Sequence, residues 1–269
     1  MERYQVILAY DGSHFKGFQR QTNVRSVQGV VESALRKLSW QGKSILAAGR
    51  TDTGAHATGQ VIAFDLDWDH DPQDLKQALN NHLPLDVVAR ETKRVCSSFH
   101  PRFDASWRKY FYRIYCQPVR DPFLEPYGWR VWPDVELSCL YVGARLLVGT
   151  HDFSSFGTPP QSGGNTVRCV LQSDWKREAT YLVYEIVGQA FLYHMVRRIV
   201  FMLVRIAQGM LDISDLQHAL EPDSGKYEID ARVTDPSKRL VHGLAPAQGL
   251  ILAEVQYPLE VVCLDEDTK

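Results

Sequence analysis

Residues 45–65, Ile-Leu-Ala-Ala-Gly-Arg-Thr-Asp-Thr-Gly-Ala-His-Ala-Thr-Gly-Gln-Val-Ile-Ala-Phe-Asp, decide the fold class. Two runs in this stretch read as strands, 45–48 and 60–65, and the connection between them is broken by Gly49, Gly54 and Gly59. Upstream, Val27, Val30, Val31, Ala34, Leu35 and Leu38 recur at helical spacing behind Ser26, a residue suited to cap a helix N-terminus. The apolar face of that helix needs a sheet to lie on. Before it, residues 4–10 read as a strand that ends in the turn pair Asp11-Gly12, and a loop runs from Phe15 to Gln21.

Downstream, a second helix is expected to start at Asp71-Pro72, with Leu75, Ala78, Leu79 and His82 on one face. Strands follow at 86–95 and 110–116. The second half repeats the alternation, with a helix at 137–148, strands at 170–176 and 181–187, and a helix at about 191–208. A short helix at 214–220 and a strand at 250–255 close the chain. Short strands in hairpins alternating with helices predict an α+β fold with a mostly antiparallel sheet and helices on one face. The expected division is an N-terminal α/β half, 1–106, and a C-terminal α/β half, 107–269. Residues 159–165, Pro-Pro-Gln-Ser-Gly-Gly-Asn, read as a flexible loop, either a lid or a surface excursion.

With 269 residues, 45% of them hydrophobic and 23% charged, the chain has the composition of a globular protein with substantial cores. Its longest apolar stretch is interrupted by Arg205 and falls short of the roughly 20 residues of a membrane-spanning helix. The N-terminus lacks the pattern of a signal peptide, so the expected location is cytoplasmic. Five scattered cysteines without a CxxC pair argue against a disulfide framework and against zinc, and are expected to be buried thiols. Asp65, Asp67 and Asp69 alternate as on a solvated strand edge and lack a second ligand set, so no metal is expected there. A formal charge of −2 says nothing of a polyanionic partner, which has to be sought in local clusters of Lys and Arg.

The densest chemistry lies at residues 49–57, where Arg50, Asp52 and His56 share one connection with two glycines. Asp52 has two open readings. It is a turn-capping carboxylate with Arg50 as a salt-bridge partner, or a nucleophile or base in a loop that a ligand approaches closely. His56 alone reads more readily as a structural histidine. Between Phe99 and Arg113, aromatic residues interleave with Arg102, Arg108, Lys109 and Arg113, a pairing of stacking surface with phosphate-binding charge. Tyr110 and Tyr112 share one strand face. On the helix after Ala190, Arg197, Arg198 and Arg205 line one stripe with almost no acidic partners, which is either a solvated face or a phosphate-binding surface.

These segments together resemble the tRNA pseudouridine synthase A family. The resemblance rests on Gly49-Arg50-Thr51-Asp52-Thr53-Gly54-Ala55-His56-Ala57, on Tyr10-Asp11-Gly12 with Gly17-Phe18-Gln19-Arg20-Gln21, and on Leu83-Pro84 with Asp86-Val87. Phe99-His100-Pro101-Arg102-Phe103-Asp104-Ala105, Gly149-Thr150-His151-Asp152-Phe153, Met195-Val196-Arg197 and Ala245-Pro246-Ala247 continue it, in order, over residues 4–257. Ala55 stands where the family usually has valine, and Pro101 where it often has alanine. The resemblance implies two α/β halves around a continuous antiparallel sheet with an active-site cleft between them. It implies a homodimer that acts without a cofactor on tRNA, converting uridine to pseudouridine at positions 38, 39 and 40 of the anticodon arm.

Position by position, it makes Asp52 the catalytic aspartate, Tyr110 the tyrosine that stacks on the target base, and Arg197 the arginine that pairs with the aspartate. Arg50, His56, Arg198 and Arg205 are the further substrate-binding candidates. Two other classes keep part of the same features: a noncatalytic RNA-binding protein, and a glycoside or nucleoside hydrolase. The hydrolase needs a second carboxylate across the scissile bond, and Asp11, Asp104 and Asp152 each read as turn or loop residues.

Overall fold

The computed structural model describes residues 1–161, 163–221 and 241–258. Ser162 of the expected flexible loop and Cys263 lie outside the described residues. The described residues form ten strands and five α-helices, an α+β fold whose strand pairings are mostly antiparallel. The chain divides into two compact units, Met1–Arg108 together with the C-terminal strand from Ile251, and Lys109–Leu250.

In the first unit the strand order is β4-β1-β3-β10, with β1 spanning Glu2–Tyr10, β3 His56–Leu66, β4 Val87–Val95 and β10 Leu250–Gln256. Strand β1 runs antiparallel to both β3 and β4. The two-residue β2, Leu46–Ala47, pairs antiparallel with β3 at Ala63 and Ile62. Strand β10 lies parallel to β3, with Ile251 opposite His56 and Leu252 opposite Ala57, so the last strand groups with the first unit. Flanked by partners, β3 is buried on both faces along most of its length, which is why its run from Val61 to Phe64 is continuously apolar.

Helix α1, Val27–Lys37, starts where the sequence predicts, with the Ser26 side chain accepting from Gly29 N–H. Its buried stripe is rotated from the expected one. Val27, Val31, Ala34 and Leu35 are buried, but so are Gln28 and Glu32, while Val30 and Leu38 are only half-buried. The polar pair is turned inward because the chain around Arg20 and Ile45 supplies its hydrogen-bond partners. Helix α2, Pro72–His82, is capped by Asp71 and packs on β4 beside α1. Asp65 is held by the Arg3 guanidinium of β1 at 2.7 and 2.9 Å, so it is ion-paired on a strand flanked by partners rather than solvated at an edge.

In the second unit the order is β5-β9-β8-β7, for Trp107–Cys116, Tyr181–Gly188, Val167–Glu178 and Gly149–Asp152. Strand β6, Trp129–Val131, pairs in parallel with β5. Neither β6 nor β7 was expected from the sequence, since three or four residues carry too little alternation to read. Helix α3, Leu137–Leu146, packs against α4, Met195–Ala207, and against β8; α5, Ile213–Leu220, packs on α3. The expected start of α4 at about residue 191 is four residues early. His194 sits in the left-handed region at φ 67°, where regular helix cannot run, and the first helical residue is Met195.

Cys116, Cys139 and Cys169 are free thiols, each half-buried. Among the described residues these three thiols are therefore less buried than expected. No helix among the described residues is long and apolar enough to cross a membrane.

Candidate active site

Asp52 lies in the connection between β2 and β3, half-buried, with Thr51 buried on one side and Thr53 exposed on the other. The connection is braced by the loop that follows β1. Phe18 N–H donates to the Thr51 carbonyl at 3.1 Å, and Gly54 N–H reaches the Phe15 carbonyl at 3.4 Å. The Tyr10 hydroxyl and Thr51 Oγ1 are 2.7 Å apart in a buried hydrogen bond. A turn closes at Asp52, with Ala55 N–H donating to the Asp52 main-chain carbonyl at 3.1 Å. Gln60 Nε2 donates to the Gly49 carbonyl at 2.9 Å, which ties the start of the connection to β3. The residues on either side of Asp52 are therefore anchored to neighbouring chain.

Gly12 allows this approach. A Cβ there would stand 1.9 Å from the Ala55 carbonyl oxygen, so only glycine lets the two loops pass. Gly12 N–H donates to His56 Nδ1 at 3.0 Å. Asp11 Oδ1 lies 3.2 Å from the same nitrogen, a spacing that would count as an ion pair if His56 were protonated there. Asp11 Oδ1 also accepts from the Ser13 amide and hydroxyl, and the buried Gly12 N–H finds its acceptor in the ring. His56, 5% exposed, thus meets both Gly12 and Asp11 at Nδ1 and holds the two loops together.

Arg50 is exposed at the start of the same connection. The structure brings Arg50, Asp52 and His56 into one segment of the first unit, with His56 at the foot of β3.

In the second unit, Tyr110 projects from β5 and is half-buried, with its ring edge-on to Phe191 at 5.1 Å and 81°. Two residues on, Tyr112 is fully buried and its hydroxyl donates to the Pro246 carbonyl at 2.6 Å. Arg197 stands in the first turn of α4, and its Nε donates to the Ala245 carbonyl at 2.7 Å. Ala245 N–H returns a bond to the Arg197 carbonyl at 3.3 Å. The segment 245–246 is therefore clasped by Arg197 and Tyr112 together. Burial pushes the Tyr112 phenol well above its ordinary range, and the positive charge of Arg197 offsets part of that, so Tyr112 remains a hydrogen-bond donor. Tyr112 and the Ala245–Pro246 pair were not assigned a role by the sequence; the signal was the period of two that puts Tyr112 on the face of Tyr110.

Arg198 and Arg205 each find internal acceptors. Arg198 NH1 donates to the Phe156 carbonyl at 3.3 Å. Arg205 lies in the last turn of α4, where it donates to Gln208 Oε1 at 3.1 Å and stacks over the Phe201 ring at 5.0 Å. A cation there also complements the carbonyl end of the helix. Among the described residues no group of three or more His, Cys, Asp or Glu is placed to hold a metal ion.

The family model described as tRNA pseudouridine synthase matches residues 6–104 and 144–258. A tRNA pseudouridine synthase A from Geobacillus kaustophilus is 37% identical over 258 residues, covering 95% of this chain and 95% of the relative. Another, from Thermotoga sp. strain RQ2, is 38% identical over 259 residues, covering 96% of this chain and all of the relative. One from Limosilactobacillus fermentum is 36% identical over 262 residues, covering 96% of each. The matched regions include the Asp52 connection, the loop that braces it, and the α4 segment bearing Arg197. With similarity of this degree along nearly its whole length, the chain belongs to the tRNA pseudouridine synthase family, whose members are isomerases.

Proposed function

We propose that this chain converts uridine to pseudouridine in the anticodon arm of tRNA, at positions 38, 39 and 40, with Asp52 as the carboxylate that acts on the ribose. The observation that carries this reading is the bracing of the Asp52 connection, in which Thr51 on one side and Gly54 and Ala55 on the other are hydrogen-bonded in place. A carboxylate carried on backbone fixed at both sides suits chemistry at one carbon of a bound nucleotide.

In the reaction the C1′–N1 bond breaks, the base turns, and C1′ bonds to C5. The C5 proton leaves to solvent and N1 takes one up, so atoms and electrons balance without a redox carrier. Asp52 supplies either the nucleophile at C1′ or the base at C2′ that gives a glycal intermediate. The uridine first leaves its stack, at a cost of a few kcal/mol. Tyr110 offsets part of that cost by stacking on the base, and Arg197 pairs with Asp52. These two roles are supported by the family resemblance, as is a homodimeric state. Arg50, His56, Arg198 and Arg205 complete the proposed substrate-binding set.

The test is tritium release from tRNA labelled at uridine C5, with enzyme in excess, followed by mapping of pseudouridine. Release from anticodon-arm uridines is expected in the wild type. Asp52→Asn should bind tRNA with near-unchanged affinity and release none, because an amide supplies neither the nucleophile nor the base. Binding without release by the wild type would instead mark a noncatalytic RNA-binding protein. Full release by Asp52→Asn would make this residue structural.

A further inference from the structure

We propose that Glu32 is a positioning residue for the Asp52 connection, an inference that rests on the proposed catalytic role of Asp52. Glu32 lies on α1 with its side chain completely buried, an unusual place for a carboxylate. Its two oxygens serve two separate pieces of chain. Oε1 accepts from Gln28 Nε2 at 2.8 Å and from Ile45 N–H at 3.3 Å. Oε2 accepts from the Arg20 guanidinium, and Arg36 NH2 lies 3.7 Å away.

Both pieces lead to Asp52. Ile45 immediately precedes β2, whose end runs into the connection. On the other side, Arg20 N–H donates to Gln28 Oε1 at 3.0 Å, Gln28 N–H donates to the Phe18 carbonyl at 2.9 Å, and Val27 N–H donates to the Gly17 carbonyl at 3.3 Å. Residues 17–20 are thereby laid along the start of α1. From that same segment Phe18 N–H reaches the carbonyl of Thr51, the residue before Asp52. Glu32 thus sets the origin of the connection and the position of its brace relative to one helix.

A buried charge is a poor choice if stability alone is at stake. Replacing a buried ion pair by apolar residues of similar volume is often neutral or stabilising, whereas removing one partner is costly. What a carboxylate supplies and a leucine does not is a set of directed polar interactions with both arms at once. An error of 1 Å in the position of a reacting group can cost about 100-fold in rate, so loss of those directions is expected to appear in turnover.

The experiment is single-turnover tritium release from C5-labelled tRNA across a range of enzyme concentrations, which separates the maximal rate from the half-saturating concentration. It is run on wild type, Asp52→Asn, Glu32→Gln and the double variant Arg20→Met with Glu32→Leu, each with a thermal unfolding curve. Glu32→Gln is expected to lose about tenfold or more in maximal rate, in line with a sub-ångström to 1 Å displacement, with half-saturation unchanged. The double variant keeps the fold because no charge is left buried alone, and its maximal rate should stay at least tenfold low, about as in the single variant.

A double variant that restores both unfolding temperature and maximal rate would overturn the proposal, as would a Glu32→Gln enzyme with the wild-type maximal rate. A loss confined to half-saturation would also overturn it, by assigning the network to tRNA binding. Failure of the wild type to release tritium, or release by Asp52→Asn, would defeat the underlying functional reading instead, and is visible in the same set.

Discussion

Gly12→Ala places one methyl group against the backbone of the Asp52 connection. The added Cβ would lie 1.9 Å from the Ala55 carbonyl oxygen and 2.5 Å from its carbon, with the Gly54 carbon at 3.1 Å. Real Cβ atoms essentially never approach another heavy atom closer than 3.0 Å, so one of the two loops must retreat by at least about 1 Å. The obstacle is main chain, which has no rotamer to change. Overpacking of this kind costs about 1–3 kcal/mol of stability, and the bond from Gly12 N–H to His56 Nδ1 would stretch with it. A displacement of 1 Å in the turn that carries Asp52 should lower the maximal rate by about 100-fold. The assay is single-turnover tritium release at a temperature where the unfolding curve shows the variant fully folded, beside a tRNA binding titration. Affinity should be nearly unchanged. A folded Gly12→Ala enzyme with the wild-type rate would contradict this expectation, since the backbone of residues 54–55 would then be free to move without consequence for the carboxylate between its anchors.

Replacing Arg198 and Arg205 together by alanine should weaken tRNA binding and reduce the slope of log affinity against log salt by about 0.7–0.9 for each phosphate that is no longer neutralised. An unchanged slope would leave both arginines as partners of Phe156, Gln208 and Phe201 only. Tyr110→Ala should slow turnover and impair capture of the target base, whereas Tyr110→Phe should retain stacking; wild-type turnover by the alanine variant would remove Tyr110 from the site. The Arg25 guanidinium, which grips Asp86 at 2.7 and 2.8 Å, holds that carboxyl below its ordinary value of 3.8. A depressed acid contributes stability above its unfolded value and loses it as pH falls through the folded one, so the contribution should be full at neutral pH and fade below about 3.8. Both side chains are partly exposed, 40% and 23%, which limits the contribution to about 1 kcal/mol or less. Denaturant titrations of wild type and Asp86→Asn should therefore differ at pH 6, with the difference narrowing as pH falls below about 3.8; equal stability at pH 6 would show that the pair contributes nothing.

The order and kind of the long elements were legible because local chemistry announces them. Ser26 before a 3.6-residue apolar period marked α1, Asp71-Pro72 marked the start of α2, and a run rich in Val, Ile, Leu and Tyr ending at Asp11-Gly12 marked β1. The Asp52 connection was legible too, as a carboxylate among glycines inside a family motif. Local sequence thus specified the α+β class, the helices and strands with strong periodicity, and the segment in which the candidate carboxylate lies.

Whatever depends on partners distant in the chain was set by folding. Strand β3 begins at His56, within a stretch that reads as glycine-rich loop, because β10 from the far end of the sequence pairs with it at His56 and Ala57. Glu32 looks like one more solvated charge on a helix until Arg20 and Ile45 are folded against it. His56 is tied to the loop after β1 because Gly12, 44 positions away, aims its amide at the ring. Periodicity records the average face of an element, whereas a hydrogen bond requires a particular donor at about 3 Å, and only the folded chain brings that donor there.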